Sequence, residues 1–349
     1  MRPDDFIMAG NGAPSPAPIA ARPGAPARSL TVVVPLLNEA RGLPQLERRL
    51  TAVLDRLGRP WTVLVVDDGS TDGTLAELKA LNARDPRYRA ISFSRNFGKE
   101  IAVAAGLREA EGDAVVIIDG DLQHPPETIA EFVEAWDAGY DIVYGVRRDR
   151  ETDGPVRRLL SRGFYRLFKS LSGTELPRGA GDFRLLDRRA VDAMNRMGER
   201  ARFNKGLYAW IGFKATGVPF DVEARRDGGS RWRLRKLLAF AIDGFASFTT
   251  IPLRVWSYVG LLISGFAFLY ALVFLAKTLV YGVDQPGFPT QIISIMILGG
   301  VQLISLGVIG EYLARVYEEV KGRPLYIVAE RVGLESPSST AAHPDTAKS

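Results

Sequence analysis

The sequence contains no cysteine. Disulfides, thiolate metal sites and a cysteine nucleophile are therefore excluded. Histidine is nearly absent as well: His124 and His343 are the 2 in 349 residues. That leaves almost nothing for a histidine-built metal cluster or a serine–histidine triad. The first residues lack the apolar run of a signal peptide; residues 1–28 hold 16 Pro, Ala and Gly and read as a disordered arm. Acid does not balance base, with 45 Lys and Arg against 40 Asp and Glu, a formal net charge of +5. Such a chain favours anions, whether nucleic acid, a phosphorylated substrate or an acidic membrane face. What remains is ordinary for a globular protein, 46% hydrophobic and 24% charged, which rules out collagen and wholly disordered chains. Yet the mean hydropathy of +0.00 is high for a soluble protein, so part of the chain must be strongly apolar.

That part lies in the last third. Residues 256–280 carry one charge, Lys277, and residues 292–313 carry one, Glu311. Each run is long enough for a helix to cross the hydrocarbon core, and neither has the polar face of a soluble helix. The connector 281–290 has Asp284 but no Lys or Arg. The outer flanks are basic, with Arg231, Arg233, Arg235, Lys236 and Arg254 before, and Arg315, Lys321 and Arg323 after. The positive-inside rule then predicts two spans with both termini in the cytoplasm. Gly260, Ser264, Gly299 and Gly307 permit close helix packing, and with it a homo-oligomer. Residues 155–171 and 231–250 are amphipathic and basic, and next to membrane spans they read as interfacial helices.

The region between the arm and the spans alternates two patterns. Apolar β-branched runs at 30–37, 61–67, 89–93, 114–119 and 140–145 predict strands. Helical patterns at 41–57, 74–83, 99–110 and 127–137 fill the gaps. Continuous apolar strands separated by helices predict an α/β fold, a doubly wound and mainly parallel sheet. Ligands of such sheets bind at the carboxyl ends of the strands.

Polar motifs fall at those ends. Asp119-Gly120-Asp121 follows the apolar run 114–118, with Gln123 two residues on. Two carboxylates at a strand end can present oxygens to one Mg2+, which favours a few carboxylates plus substrate phosphate. Asp67 and Asp68 end another strand, ahead of Ser70, Thr71 and Asp72, whose side chains suit a helix cap. The first strand runs through Pro35 to Asn38 and Glu39. Three neighbouring strands thus deliver acids or amides to one rim.

These segments, 33–40, 65–74, 92–107 and 118–127, resemble family-2 glycosyltransferases with a GT-A fold. The resemblance is nearest to the polyprenyl-phosphate glycosyltransferases, the group of dolichol-phosphate mannose synthase and the bactoprenol glucosyltransferases. Later segments agree: Gly181-Asp182-Phe183-Arg184, Lys205-Gly206-Leu207, Pro252-Leu253-Arg254 and Gly310-Glu311-Tyr312. It spans residues 29–331 and implies a GT-A domain at 29–230, a juxtamembrane amphipathic helix at 231–254, two transmembrane helices within 255–313, a cytoplasmic segment at 314–333 and a disordered tail at 334–349. It also implies roles. Pro35, Glu39 and Asp67 match nucleoside-holding positions. Asp119, Asp121 and Gln123 match a metal site for Mg2+ or Mn2+. Arg225 and Arg231 match cations on the donor diphosphate; Arg231 stands where the family more often has Lys, and a guanidinium forks where an ammonium is a point charge. Arg147, with Arg157, Arg158 and Ser161, matches the acceptor-phosphate site. Asp182 and Arg184 are candidates for the sugar, with surface ion pairing an equal reading of Arg184.

The reaction implied is inverting transfer of a sugar, glucose by preference, from a nucleotide-diphosphate sugar such as UDP-glucose to polyprenyl phosphate at the inner face of the cytoplasmic membrane. Mannose, galactose and other sugars stay open. A processive polysaccharide synthase is disfavoured, because Gly228 stands where such enzymes have the glutamine of Gln-x-x-Arg-Trp. The two acids of the Asp-Gly-Asp motif argue against a non-catalytic scaffold. Nucleic-acid binding is not expected, since the cations lie beside apolar helices rather than aromatic stacking platforms.

Overall fold

The computed structural model describes residues 28–148, 180–200, 204–222 and 287–335, with helical positions scattered between 260 and 281. The basic stretches 155–171 and 231–250 lie outside the described residues, and with them Arg157, Arg158, Ser161, Arg225 and Arg231, as do the arm to residue 27 and the tail from 336.

The sheet begins with β1 (Leu30–Leu36), β2 (Trp61–Asp67), β3 (Tyr88–Phe93) and β4 (Ala114–Ile117). Helices α1 (Leu43–Arg56), α2 (Thr74–Arg84) and α3 (Lys99–Glu109) connect them. Beyond β4 come α4 (Thr128–Asp137), β5 (Ile142–Arg147), β6 (Ala180–Asp187), α5 (Arg188–Arg196), α6 (Asn204–Trp210), β7 (Ala215–Phe220), α7 (Phe288–Val320) and β8 (Val328–Val332). One 8-stranded sheet results, in the order β7-β5-β6-β4-β1-β2-β3-β8.

β1 is apolar along its length because both its faces are covered. Val32, Val34 and Leu36 pack with α1, α2 and α4, while Val33 packs with α3, α5 and α6. This is the period of two expected of a pleated strand, with a helical layer on each side.

The first half of the sheet follows the expectation. β1, β2, β3 and β4 are parallel, and the strand and helix bounds fall within a few residues of those predicted. The second half corrects it. β6 lies between β4 and β5 and runs antiparallel to both, while β5 and β7 pair in parallel. An apolar run identifies a buried strand but carries no record of its neighbour or direction. β8 adds a strand that the sequence reading did not assign: residues 328–332 lie in the segment 314–333 that follows the spans. They pair antiparallel with β3. Arg331 makes a two-pronged contact with Glu109 on α3 at 2.8 and 2.9 Å, and Lys79 on α2 pairs with Glu330 at 2.6 Å.

α7 spans 33 residues and runs past the apolar segment expected at 292–313. Its portion Ile297–Val320 is the one helix among the described residues long and apolar enough to cross a membrane. The far end of α7 is fixed to the sheet domain. The backbone N–H of Arg200 donates to Glu319 at 2.6 Å, its Nε donates to the Glu319 carbonyl at 3.3 Å, and its Nη1 reaches the Arg323 carbonyl.

Candidate functional site

The topology sends chemistry to one rim. β1, β2, β3 and β4 end there, and β6, antiparallel to β4, begins there. β5 and β7, antiparallel to β6 and parallel to each other, also end there. Asp67, Asp119, Asp182, Arg147 and Phe220 therefore come from five strands or strand ends and share one edge.

Asp119, Asp121 and His124 form the centre. Their ligand atoms lie within 4.8 Å of one another. Gly120 packs closely between the acids: a Cβ there would come 1.9 Å from the end of the Leu36 side chain and would push it aside. Leu122 then takes a left-handed turn, φ 58°, and the Gln123 backbone N–H donates to Asp121 at 3.1 Å. The turn folds His124 under Asp119, with Nδ1 3.5 Å from Asp119 Oδ2. The ring is 2% exposed and lies against Phe183 and Phe220, at centroid distances of 5.2 and 5.4 Å. Neither ring nitrogen has a hydrogen-bond partner among the described residues. Burial, opposed by the Asp119 charge, pushes its pKa down. Buried polar atoms are normally satisfied, so a neutral imidazole with open nitrogens beside two carboxylates fits a divalent cation. Sequence reasoning did not place a histidine here. The signal was nevertheless present, since His124 stands three residues after Asp121.

A second group backs the first. Lys99, the first residue of α3, reaches Asp119 Oδ1 at 2.6 Å and Asp182 Oδ2 at 3.0 Å. Burial opposes the ammonium charge, but the Asp182 and Asp119 carboxylates outweigh it and hold the pKa above the ordinary lysine value. Burial likewise works against the Asp182 charge, yet Lys99 and Lys205 bring its pKa down to about 2. Arg184 is buried, not a surface ion-pair residue. Its guanidinium lies 3.7 Å above the Tyr208 ring and donates to the Gly181 carbonyl at 2.5 Å. It therefore props the start of β6 from behind. Glu100 accepts from the Asn204 backbone at 3.0 Å and so ties α6 to α3; burial and the nearby Asp182 raise its pKa.

The loops after β1, β2 and β3 interlock on the other flank. Asp67 is buried and accepts from the Ser70 N–H at 3.0 Å and the Ser92 hydroxyl at 2.6 Å. Asp68 accepts from the N–H groups of Phe97 and Gly98 at 2.7 and 3.0 Å; burial, more than these donors, sets its pKa, which is raised. Gly69 has φ +71°, and a Cβ there would meet the Arg95 backbone at 2.4 Å. Asn38, φ 56°, accepts from the Thr71 N–H at 2.8 Å, and its own N–H donates to Ser70 Oγ at 2.8 Å. Glu39 follows, its N–H donating to Thr74 Oγ1 at 3.1 Å. Pro35 lies within β1 in register with Val66. Arg147, the last residue of β5, is close enough to lower the His124 pKa through its charge.

Parallel strands ending in acids, with an Asp-Gly-Asp turn at the central strand, are the features by which the chain can be compared with known proteins. Residues 31–194 match the family described as glycosyl transferase family 2. An uncharacterized glycosyltransferase of Synechocystis is 47% identical over 306 residues, covering 88% of this chain and 96% of that protein. A prophage-derived bactoprenol glucosyl transferase of Shigella flexneri is 41% identical over 299 residues, covering 86% of this chain and 97% of that one. Among solved structures, glucosyl-3-phosphoglycerate synthase from Mycobacterium tuberculosis, in complex with Mn2+, UDP-glucose and phosphoglyceric acid, shares 24% identity at a TM-score of 0.44 over 63% of this chain and 78% of that one. The chain belongs to glycosyl transferase family 2.

Proposed function

We propose that the chain transfers a sugar, glucose by preference, from a nucleotide-diphosphate sugar to a polyprenyl phosphate at the cytoplasmic face of a membrane, with inversion at the anomeric carbon. One observation carries the reading: the Asp119, Asp121 and His124 group shares its sheet with β8, which continues from the apolar helix α7. The likeness to bactoprenol glucosyl transferases supports the lipid acceptor and the glucose. In this reading 256–280 and α7 are two spans, and both ends of the chain lie with the sheet in the cytoplasm.

Asp119, Asp121 and His124 hold the cation, with Gln123 as the further ligand that the resemblance implies. An imidazole donor favours Mn2+ over Mg2+, which prefers oxygen. When bound, the ion supplies charge neutralisation of the leaving diphosphate. Pro35, Glu39 and Asp67 border the nucleoside, and Arg225 and Arg231 close on the diphosphate. Asp182 faces the sugar, with Arg184 behind it. Arg147, Arg157, Arg158 and Ser161 receive the acceptor phosphate. A phosphate monoester has a second pKa near 6, so it is a nucleophile at pH 7 without a protein base. His124 does not take that role, because it is enclosed by two aromatic rings. The residues' task is alignment of two anionic substrates and the exclusion of water.

The test is a transfer assay on the full chain in detergent, with polyprenyl phosphate, MnCl2 or MgCl2, and a panel of labelled nucleotide sugars. Label from UDP-glucose is expected in the lipid phase. Asp121→Asn is expected to lower that rate by about 100-fold or more while the protein stays folded. Label from no donor, with intact protein and verified lipid, would sink the reading, and wild-type turnover by Asp121→Asn would sink its metal limb.

A further inference from the structure

Lys99 has no part in the roles above, yet its ammonium sits at the centre of the rim. It opens α3, directly after Gly98, where the helix dipole disfavours a cation. Helix energetics therefore do not explain it. Its partners come from two other elements: Asp119 Oδ1 at 2.6 Å, beyond β4, and Asp182 Oδ2 at 3.0 Å, on β6. The other oxygen of Asp119 faces His124 at 3.5 Å. Asp119 is thus shared, with one oxygen turned to the metal-binding group and the other to the ammonium. An ammonium has three donors. The two carboxylates pair with its charge, and with 44% of the side chain exposed at the rim the ammonium is also open to a ligand.

We propose that Lys99 is a further cation of the donor site, paired with the Asp119 that would also hold the divalent ion, and that it binds an oxygen of the donor diphosphate. This rests on the function proposed above. During transfer the acceptor phosphate oxygen bonds to the anomeric carbon. The bond from that carbon to the diphosphate breaks, and its electron pair goes to the diphosphate oxygen. Lys99 stays protonated throughout; it offsets charge and moves no proton. Asp182 keeps the ammonium from collapsing wholly onto Asp119, which leaves that carboxylate able to serve the ion.

The arrangement makes a prediction of opposite signs. Two cations sharing one carboxylate repel, so Lys99→Met is expected to bind Mn2+ more tightly than the wild type. The same variant, loaded with Mn2+, is expected to bind inorganic pyrophosphate about tenfold or more weakly, the loss expected for a charge-assisted hydrogen bond. Both affinities are read by calorimetry on the full chain in detergent, with Mn2+ binding repeated by electron paramagnetic resonance. Lys99→Arg, which keeps the charge, is expected to restore pyrophosphate binding to within a few fold, and serves if Lys99→Met does not fold. A merely structural lysine would weaken both ligands together, and that outcome overturns the proposal. Unchanged pyrophosphate affinity in Lys99→Met overturns it alone. Failure of the Mn2+-loaded wild type to bind pyrophosphate overturns it together with the function on which it rests.

Discussion

At the scale of the residue, His124 is defined by what surrounds it. A lone histidine in a sequence reads most simply as a packed core residue, and its ring is indeed packed between Phe183 and Phe220. Its Nδ1, however, faces Asp119 at 3.5 Å, and no polar group among the described residues satisfies either nitrogen. His124→Phe keeps a ring of similar size and removes both nitrogens. The variant is expected to hold its fold by circular dichroism and to bind Mn2+ about 10- to 100-fold more weakly. Equal affinity would remove His124 from the cation site. Asp119 and Asp121 were readable from the chain because acids directly after a buried strand have few structural reasons to be there. The places of His124 and Lys99 were not, since they depend on a left-handed turn at Leu122 and on the juxtaposition of α3 with β6. The surroundings of Arg184 were hidden for the same reason, as the stack on Tyr208 joins β6 to α6.

At the scale of the element, the loop from β2 to α2 does two jobs with adjacent residues. Asp67 and Asp68 fasten the rim, while Asp72, one residue before the Gly73 that opens α2, braces the helix start from outside. Asp72 accepts from the Thr74 hydroxyl and N–H at 2.5 and 2.9 Å and from the Ala40 N–H at 3.4 Å. The Thr74 hydroxyl bond leads the contributions that hold its pKa below 3.8. A depressed carboxylate contributes its stability above the unfolded value and loses it as pH falls through the folded one. Asp72→Ala is therefore expected to cost about 1 kcal/mol at neutral pH in urea unfolding, the net worth of the hydrogen bonds it accepts. The difference from wild type should vanish once the pH falls below the lowered pKa, and a deficit independent of pH would show that the Asp72 charge is not its origin. The residue types Ser70 to Asp72 suggested a cap, but Gly73 stands at that position and no side chain caps α2. The direction of β6 was not legible either, because an apolar run does not record which strands it inserts between or which way it runs.

At the scale of the molecule, the chain leaves the sheet, passes through the long apolar helix α7 and returns as β8 to cover the edge of β3. The two-pronged contact of Arg331 with Glu109 holds that return in place. Glu109→Ala is expected to weaken the docking by about 1 kcal/mol, since the pair is partly solvated. Hydrogen exchange should then quicken at residues 328–332 and leave β1 unaffected; uniform quickening would mean that β8 is not a separately opening unit. The apolar runs announced α7 plainly, but the return strand is short, carries Glu330 and Arg331, and pairs with β3, which lies far back in the sequence. This order of elements has a consequence for biosynthesis. As a ribosome makes the chain, β3 emerges long before β8, and α7 lies between them. The open edge of β3 therefore waits, exposed to other strands, until the apolar segment has found its own environment and the last strand can arrive.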